Sequence, residues 1–371
     1  MNLKTLLLSS DEKTVRILRR VLSDLEITVE HCASMDDGIR RLTRHRFEAI
    51  IVDCNSSEEA GNVMRAVKAA PVNKRALLIA LVEAPVGLKG GFDLGAHFVL
   101  HKPLAVERAK GSFRAVRALM KRERRLQLRV PVQVPVECMG SRPFHAKTLD
   151  ICEGGMALQF TGRPARESSL RFTLELPGMS SKLEVWGEMA WEGGGDQAGV
   201  RFKNVTEEQR KALRGWLGNQ LPEPEPDDPP VVCKLTDMSL GACYLTTTSP
   251  FPKTTRVNLS VRNGDVELRA AGVVRVSHPE CGMGIEFLRA TAEQQGHVHR
   301  MIETLRSLGG SPEIMVEPDG LEVSGSDDSL AGSPSDSTED ALISLFRQEP
   351  HSPVETFREQ MLQQRQMLQS R

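Results

Sequence analysis

The sequence is poor in aromatic residues, which make up 4% of its 371 residues and include a single tyrosine, Tyr244. Proteins that bind single-stranded nucleic acid stack bases on several aromatic side chains, so an extended surface of that kind is excluded. The charge is also nearly balanced, with 48 lysines and arginines against 49 aspartates and glutamates. A wholly basic surface is therefore not expected, and we predict no specific nucleic-acid partner.

Long apolar runs and paired cysteines are missing as well. No stretch approaches the roughly 18 consecutive apolar residues typical of a transmembrane helix, and the N-terminus is too short and too soon acidic for a signal peptide. The seven cysteines form no CxxC pair, and their number is odd. These features are typical of reduced thiols, so we expect a cytoplasmic protein. No metal-ligand cluster or catalytic triad is evident, and we expect neither a metal nor an enzyme.

Apolar runs alternate with helical patterns over residues 1–120. Leu3–Leu8, residues 49–53 and residues 76–82 read as buried strands, and the segments between them carry apolar residues at helical spacing. This alternation predicts a doubly wound parallel α/β sheet. In such sheets the functional residues lie at the carboxyl ends of the strands, which here carry Asp11, Asp53 and Lys102.

The element order, Asp53 at a strand end and the sequence Lys102-Pro103-Leu104 resemble a response-regulator receiver domain. The resemblance implies that Asp53 stands where the family accepts a phosphoryl group and that Lys102 completes the pocket. The acidic pair that binds magnesium in the family is replaced by Ser9 and Ser10, with Asp11 left nearby, and Val82 occupies about the place of a hydroxyl residue. Because magnesium prefers charged oxygen ligands, we expect a pseudo-receiver that is not efficiently phosphorylated. The alternative is a response regulator controlled through Asp53.

Short alternating strands replace the helical pattern after residue 125, and they occur twice. Gly187, Gly199, Phe202, Thr206 and Gln209 recur 85 residues later as Gly272, Gly284, Phe287, Thr291 and Gln294. A repeat of this kind predicts two similar units. We expect two small all-β barrels, each followed by a C-terminal helix that starts at the Thr-x-x-Gln cap.

Two motifs stand out in the first repeat: Arg125-x-x-x-Arg129, and a turn that runs from Asp150 through Cys152 to Gly155. Guanidinium groups suit phosphate oxygens and the acceptor edge of guanine, and an aspartate can accept hydrogen bonds from guanine. The pair of motifs resembles the PilZ domain, whose family pattern is RxxxR followed by [D/N]xSxxG. The resemblance implies cyclic di-GMP binding by these five positions. Cys152 stands where the family has serine, so we expect weakened binding.

The second repeat resembles the same family with fewer matches. Asp237 and Ser239 remain, but Ala242 replaces the last glycine, and the arginine pair and the first strand are missing. An acidic, proline-rich segment stands in their place and would repel a dianionic ligand. We therefore expect a degenerate barrel used for packing or protein contact. Outside these motifs, Arg210-x-x-x-Arg214 is a chance match in the closing helix, and Trp186, Trp191 and Trp216 are expected in the core of the first barrel.

These observations predict a pseudo-receiver over 1–120, a PilZ-like barrel over 121–220, a linker over 221–230 and a second barrel over 231–308. Residues 309–371 are expected to be a mostly disordered tail with short helices, because residues 311–340 hold nine acids and no lysine or arginine. The predicted function is that of a non-enzymatic bacterial signalling adaptor that binds cyclic di-GMP and relays it to an unidentified protein partner. A ligand-independent scaffold with degenerate domains is the main alternative, and a homodimer is a further expectation.

Overall fold

The structure is a computed structural model of the chain. It describes residues 3–54, 57–73, 75–83, 91, 95–140, 144–160, 169–179, 181–193, 196–203, 205–220, 228–288, 292–308, 311–322, 340–348 and 354–369. The chain forms two compact units. One unit consists of Met1–Glu123 together with Asp228–Arg371, and the other consists of Arg124–Asp227.

A five-stranded parallel sheet forms the N-terminal domain, with strand order β2-β1-β3-β4-β5. The strands are β1 (Leu3–Leu8), β2 (Ile27–Cys32), β3 (Ala49–Asp53), β4 (Leu77–Val82) and β5 (Phe98–His101). Strands β3 and β4 are buried along their whole length, because both faces of a parallel sheet are covered. The predicted doubly wound α/β domain is confirmed.

The helices of this domain are α1 (Glu12–Asp24), α2 (Met35–Arg44), α3 (Ser57–Ala69) and α4 (Val106–Gln127), with a single 3₁₀ turn at Pro71–Asn73. Ser34 occupies the N-cap position of α2, although its side chain makes no capping hydrogen bond. The four glycines within residues 85–95 favour a short or frayed helix at this place in the sequence, but the stretch lies almost entirely outside the described residues.

The first antiparallel barrel contains β6 (Val130–Pro131), β7 (Pro135–Met139), β8 (Phe144–Cys152), β9 (Gly155–Phe160), β10 (Leu170–Leu174), β11 (Leu183–Glu192) and β12 (Gln197–Lys203). Strand β8 pairs with both β7 and β9, and this closes the barrel. Helix α5 (Glu207–Gln220) follows. Its predicted capping box is present, since Gln209 N donates to Thr206 Oγ1 and Thr206 N donates to Gln209 Oε1.

The second barrel is closed by six strands in the order β13-β14-β17-β16-β15-β18. They are β13 (Val231–Met238), β14 (Ala242–Thr246), β15 (Thr255–Asn263), β16 (Val266–His278), β17 (Gly282–Phe287) and β18 (Glu313–Leu321), with helix α6 (Ala292–Leu308) between β17 and β18. The prediction that two barrels follow the α/β domain is confirmed.

Strand β18 corrects two expectations from the sequence. It pairs with β13 and β15, as β7 pairs with β8 and β10 in the first barrel. The strand that is missing from the start of the second repeat is therefore supplied after its C-terminal helix, so the barrel is circularly permuted relative to the first. The barrel does not end at residue 308, and residues 313–321 are not part of a disordered tail, because their alternate side chains Ile314 and Val316 are fully buried.

The end of the chain forms two helices, α7 (Ala341–Gln348) and α8 (Val354–Gln369). Both carry side chains that are less than 5% exposed, among them Leu345, Phe346 and Phe357. These helices pack on the second barrel in a separate apolar cluster. The expectation of short helices is thus met, but the described part of the tail is docked rather than disordered, because its apolar residues fall on the faces that meet the barrel.

Helix α4 joins the α/β domain to the second barrel within one unit. A single apolar core contains residues of both, and Phe113 and Met120 of α4 belong to it. Next to this core, Arg122 donates to Asp319 at 2.7 Å, and Glu123 Oε1 accepts the backbone N–H of Leu321 at 2.6 Å. Some of the basic residues near the end of this helix therefore form bonds within the protein, such as Arg122 with Asp319. No helix among the described residues is long and apolar enough to cross a membrane.

Candidate functional site

The receiver-like pocket is built around Asp53, the last residue of β3. Lys102 Nζ donates to Asp53 Oδ1 at 2.7 Å, and Ser9 Oγ donates to Asp53 Oδ2 at 2.7 Å. The side chains of Asp53 and Lys102 are 1% and 8% exposed. Burial opposes the charge of Lys102, but hydrogen bonds to Asp53 and Glu83 outweigh it and raise the pKa of this lysine. Each carboxylate oxygen of Asp53 therefore accepts a hydrogen bond from a neighbouring side chain.

The second acid of the predicted pocket, Asp11, stabilises a helix start. Asp11 is the N-cap of α1, where its carboxylate accepts from Lys13 N and from Thr14 Oγ1. The hydrogen bond from Thr14 is the main reason why the pKa of Asp11 is lowered. A cleft of about 410 Å³ beside Asp53 is lined by Ser10, Ala33, Ser34, Met35, Asp36, Ile39 and Asn62. The position where the receiver family has a hydroxyl residue is occupied by Val82, which is fully buried. A valine carries no hydroxyl, so none is present there.

In the first barrel, the structure brings the two predicted motifs together. Arg125 lies in the last turn of α4, and Arg129 lies just before β6. The guanidinium of Arg129 forms a hydrogen-bonded ion pair with the carboxylate of Asp150 on β8. The Arg129 side chain is 41% exposed and that of Asp150 is 29% exposed, so this ion pair is accessible at the surface.

Cys152 and Gly155 face each other across the β8–β9 turn. Cys152 is 4% exposed, as expected for a small buried residue. A Cβ atom on Gly155 would collide with the backbone carbonyl oxygen of Val200, and Gly155 pairs with Arg201 on β12. The glycine is therefore required by the close approach of two strands, whether or not a ligand is present.

Trp191 lies on the same surface of the first barrel as Asp150, and the sequence did not indicate this. Residues directly opposite in an antiparallel pair share a face, and successive pairings place four residues in one row: Asp150, Ala157, Gly199 and Trp191. The indole of Trp191 lies on Gly199 and is 45% exposed. The row thus has a carboxylate at one end, small residues in the middle and an exposed aromatic ring at the other end.

The expectation of three core tryptophans is correct only for Trp216, which is 6% exposed and donates to Pro177 O. Trp186 and Trp191 are nearly half exposed. Trp186 points outward by the regular alternation of β11, whereas Trp191 does so because a bulge between Met189 and Trp191 shifts the register of the strand. Strict alternation along the strand does not reveal such a shift.

The closing helix also contributes a cation to the motif turn. Arg214 Nε of α5 lies 3.5 Å from Glu153 Oε1, and Glu153 lies in the turn between Cys152 and Gly155. Arg201 of β12, opposite Gly155, pairs with Glu188 at 3.3 Å. From the sequence, Arg210-x-x-x-Arg214 is expected to be a chance match, because helix spacing alone does not show which turn the helix covers.

In the second barrel, the two retained motif residues bond within their own turn. Asp237 Oδ1 accepts from Met238 N at 2.9 Å, and Ser239 Oγ accepts from Ala242 N at 3.1 Å. Of the acidic linker, residues 228–230 are described, and Asp228 pairs with Arg117 and Lys121 of α4. Within the described parts of the chain, no cluster of three histidine, cysteine or acidic residues is placed to hold a metal ion.

The chain is similar to one protein family and to several solved structures. The family model described as "PilZ domain" matches residues 122–219 and 221–304. The chemotaxis response regulator CheY4 of Vibrio cholerae is 22% identical over 31% of this chain and 99% of its own, with a TM-score of 0.29. The PilZ domain of CeSA from a cellulose-synthesizing bacterium is 19% identical over 24% of this chain and 94% of its own, with a TM-score of 0.21. A search of curated proteins gave no match.

Proposed function

Because residues 122–219 and 221–304 are PilZ domains, we propose that this chain is a cyclic di-GMP-responsive adaptor whose first barrel binds the dinucleotide. PilZ domains are in general cyclic di-GMP-binding modules, and PilZ and receiver-like domains are typically non-enzymatic. The observation that carries the proposal is the meeting of Arg129 with Asp150 at the surface of the first barrel. The guanidinium is the group that suits phosphate, and the carboxylate is the group that suits the N–H edge of guanine.

Arg125 and Arg129 would clamp phosphate and guanine oxygens, and Asp150 would accept from guanine once its ion pair with Arg129 opens. Trp191 would stack on a base, because its exposed ring ends the row that begins at Asp150. Stacking of a base on an aromatic side chain contributes about 1–3 kcal/mol. Arg201 and Arg214 lie beside the motif turn and would contact a dianionic ligand once their ion pairs with Glu188 and Glu153 open.

Ligand binding would be relayed along helix α4. The arm that holds Arg125 and Arg129 continues directly from this helix. Lys121, Arg122 and Glu123 precede the arm on the same helix and bond to Asp228, Asp319 and Leu321 of the second barrel's unit. Ordering of the arm would therefore stabilise the last turns of α4, and the protein partner would read this change. Hydrogen exchange at residues 118–130 with and without ligand tests the relay, and unchanged exchange despite binding would contradict it.

The N-terminal domain would act as a pseudo-receiver that serves as a packing or docking module. Both oxygens of Asp53 accept hydrogen bonds, from Ser9 and from Lys102. Serines stand where magnesium would need acids, so the pocket would lack the charged oxygen ligands that the metal prefers.

Calorimetric titration with cyclic di-GMP tests the central proposal. We expect binding at micromolar or lower ligand concentration, and a loss of about 100-fold or more in the Arg125→Ala/Arg129→Ala protein, because two charge-assisted contacts contribute about 1.5–3 kcal/mol each. Arg171→Ala is the matched control, since this arginine is also on the surface of the first barrel but pairs with Glu184 on another row. Absence of heat at high micromolar ligand would contradict the proposal.

A ligand-independent scaffold is the second candidate function. It is favoured by Cys152 in the serine position and by the ion pair in which Arg129 and Asp150 satisfy each other. The same titration separates the two functions, because a scaffold gives no heat while it still co-purifies with its protein partner.

A further inference from the structure

The two barrels present equivalent rows on their outer faces. In the first barrel the row is Asp150, Ala157, Gly199 and Trp191. In the second barrel the same sequence of pairings gives Asp237, Tyr244, Gly284 and Val276. The members correspond one to one in the sequence repeat, at offsets of 85 or 87 residues. The face proposed to hold the dinucleotide in the first barrel therefore has a direct counterpart in the second.

That counterpart is covered by the end of the chain. A Cβ atom on Gly284 would lie 2.6 Å from Cζ of Phe346, so the ring of Phe346 rests directly on this glycine. In the first barrel the corresponding glycine, Gly199, is covered by the barrel's own Trp191. In the first barrel the ring on this glycine is Trp191, which belongs to the barrel itself. In the second barrel the ring at the equivalent place is Phe346, which comes from α7.

The start of α7 is anchored at the degenerate motif turn. Asp340 Oδ2 accepts the backbone N–H of Gly241 at 3.0 Å, and its Oδ1 accepts from Leu342 N at 3.1 Å. One carboxylate therefore caps the helix and binds the turn between Asp237 and Ala242 at the same time. An acidic residue is needed at this point, because a neutral apolar residue would leave both sets of N–H donors without this acceptor.

The remaining contact is apolar and extensive. Side chains from both helices are less than 5% exposed: Leu342, Leu345, Phe346, Phe357 and Met361. They form one cluster with Ala242, Tyr244 and Val276 of the barrel. The ring of Phe357 lies 5.2 Å from that of Tyr244 and 4.8 Å from that of His278, between centroids. Ala242, the residue that replaces the last motif glycine, contributes its methyl group to this cluster.

Charge is complementary as well. Glu286 occupies in β17 the position that Arg201 occupies in β12, opposite the motif turn. Its carboxylate pairs with Arg275 at 2.7 Å and with Arg347 of α7 at 3.4 Å. The first barrel thus has an arginine, Arg201, where the second has a glutamate, Glu286. The tail supplies the matching positive charge through Arg347.

We propose that the outer face of the second barrel is a peptide-binding site for a pair of amphipathic helices with an acidic first residue, and that residues 340–348 and 354–361 of the same chain are its ligand. The site takes this peptide in place of a dinucleotide. This inference rests on the proposed function in one respect: the row in the first barrel is taken to be the face that binds cyclic di-GMP. The docking of the tail on the second barrel does not depend on any nucleotide.

The test compares two adjacent residues of α8 in the full-length protein. Met361→Asp introduces a charge into the buried cluster, whereas Leu362→Asp introduces the same charge at a side chain that is 56% exposed. We expect Met361→Asp to raise amide exchange at residues 242–246, 276–285 and 341–348 at least tenfold and Leu362→Asp to leave it unchanged. Equal exchange in both variants would overturn the proposal.

A second variant approaches the site from the barrel. Gly284→Ala places a methyl group against Phe346 and should release the tail without a charge, which guards against misfolding of the first variant. A synthetic peptide of residues 338–369 should then bind Met361→Asp, restore protection at 242–246, and fail to bind wild-type protein, whose site is filled. Failure of the peptide to bind the released variant would overturn the proposal.

Nucleotide titration separates this inference from the proposed function. Wild-type protein and Met361→Asp should each bind one cyclic di-GMP per chain. Two sites in the released variant would show that the tail covers a nucleotide site and would overturn the inference. No binding to either protein would contradict the proposed function but leave the peptide result intact. A wild-type dimer that Met361→Asp converts to a monomer would place the tail on a second copy, and would overturn docking within one chain.

Discussion

Lys102 Nζ lies 2.7 Å from Asp53 Oδ1, with both side chains at the carboxyl edge of the parallel sheet and less than a tenth exposed. Ser9 holds the other oxygen of the same carboxylate. A carboxylate held from two sides in this way is well suited to stabilise the domain, because each of its buried oxygens accepts a hydrogen bond from a neighbouring side chain.

Lys102→Met is expected to lower the free energy of unfolding by about 3 kcal/mol, because it leaves Asp53 buried without its charged partner. Chemical denaturation monitored by circular dichroism measures the change. Arg40→Met is the control, since its ion pair with Asp37 is exposed and its loss is expected to change stability by less than about 1 kcal/mol. Equal effects of the two substitutions would show that the buried pair has no special role.

Treatment with acetyl phosphate and magnesium is expected to leave Asp53 unmodified. Serines occupy the positions where acids would bind the metal, and hard cations prefer carboxylate ligands. Intact-mass spectrometry is the measurement, and a functional receiver domain treated in parallel is the control. A stoichiometric gain of one phosphoryl group that is lost in Asp53→Asn would instead support a phosphorylation-controlled regulator.

Trp191→Ala is expected to weaken cyclic di-GMP binding by about 5- to 150-fold, the equivalent of about 1–3 kcal/mol of base stacking. Trp186→Ala serves as a matched control, because Trp186 lies on the same strand with nearly the same exposure but in a row with Arg171 and Lys203. Trp191→Phe should retain most of the affinity. If wild-type protein binds and both alanine variants bind equally, Trp191 does not contact the ligand.

Cys152→Ser is expected to strengthen cyclic di-GMP binding about 2- to 10-fold. A hydroxyl is a better hydrogen-bond partner than a thiol, and a typical neutral hydrogen bond contributes about 0.5–1.5 kcal/mol. Calorimetry gives the affinity, and thermal denaturation of the ligand-free protein shows whether the buried site tolerates the change. Cys152→Ala should bind no more tightly than the wild type, and a gain in that variant would assign the effect to packing.

Glu123→Gln is expected to remove a pH dependence of stability. Burial raises the pKa of Glu123, against the hydrogen bond from Leu321 N–H and the charge of Arg75. A carboxyl group with a raised pKa contributes stability below its unfolded-state pKa, and this contribution is lost as pH rises through the folded-state value. The melting temperature of the wild type relative to Glu123→Gln should therefore fall between pH 4 and pH 8, and a constant difference would contradict the shift.

Much of the fold could be predicted from short-range patterns in the sequence. The strands that end at Asp53 and before Lys102 are predictable because buried parallel strands are continuous apolar runs, and the capping box at Thr206 and Gln209 is predictable from its spacing. Barrel positions repeated in the sequence, such as Gly199 and Gly284, also identified the duplication.

The rest depends on long-range contacts that no local pattern contains. Strand β18 follows its barrel's closing helix, in an acidic stretch typical of disorder, and becomes ordered only because β13 and β15 leave an unpaired edge for it. The exposure of Trp191 depends on a bulge in β11. Asp340 has no motif of its own, and its role follows from where Gly241 lies in the folded barrel.

The pairing of Arg122 with Asp319 spans 197 residues of sequence, and the whole first barrel is encoded between them. At about 5–20 residues per second, a ribosome needs about 10–40 s to make that stretch. During this interval the α/β domain has emerged, but α4 has not yet formed the bonds from Arg122 to Asp319 and from Leu321 N–H to Glu123. The unit that contains both the α/β domain and the second barrel is therefore completed only late in synthesis, after the whole first barrel has been made.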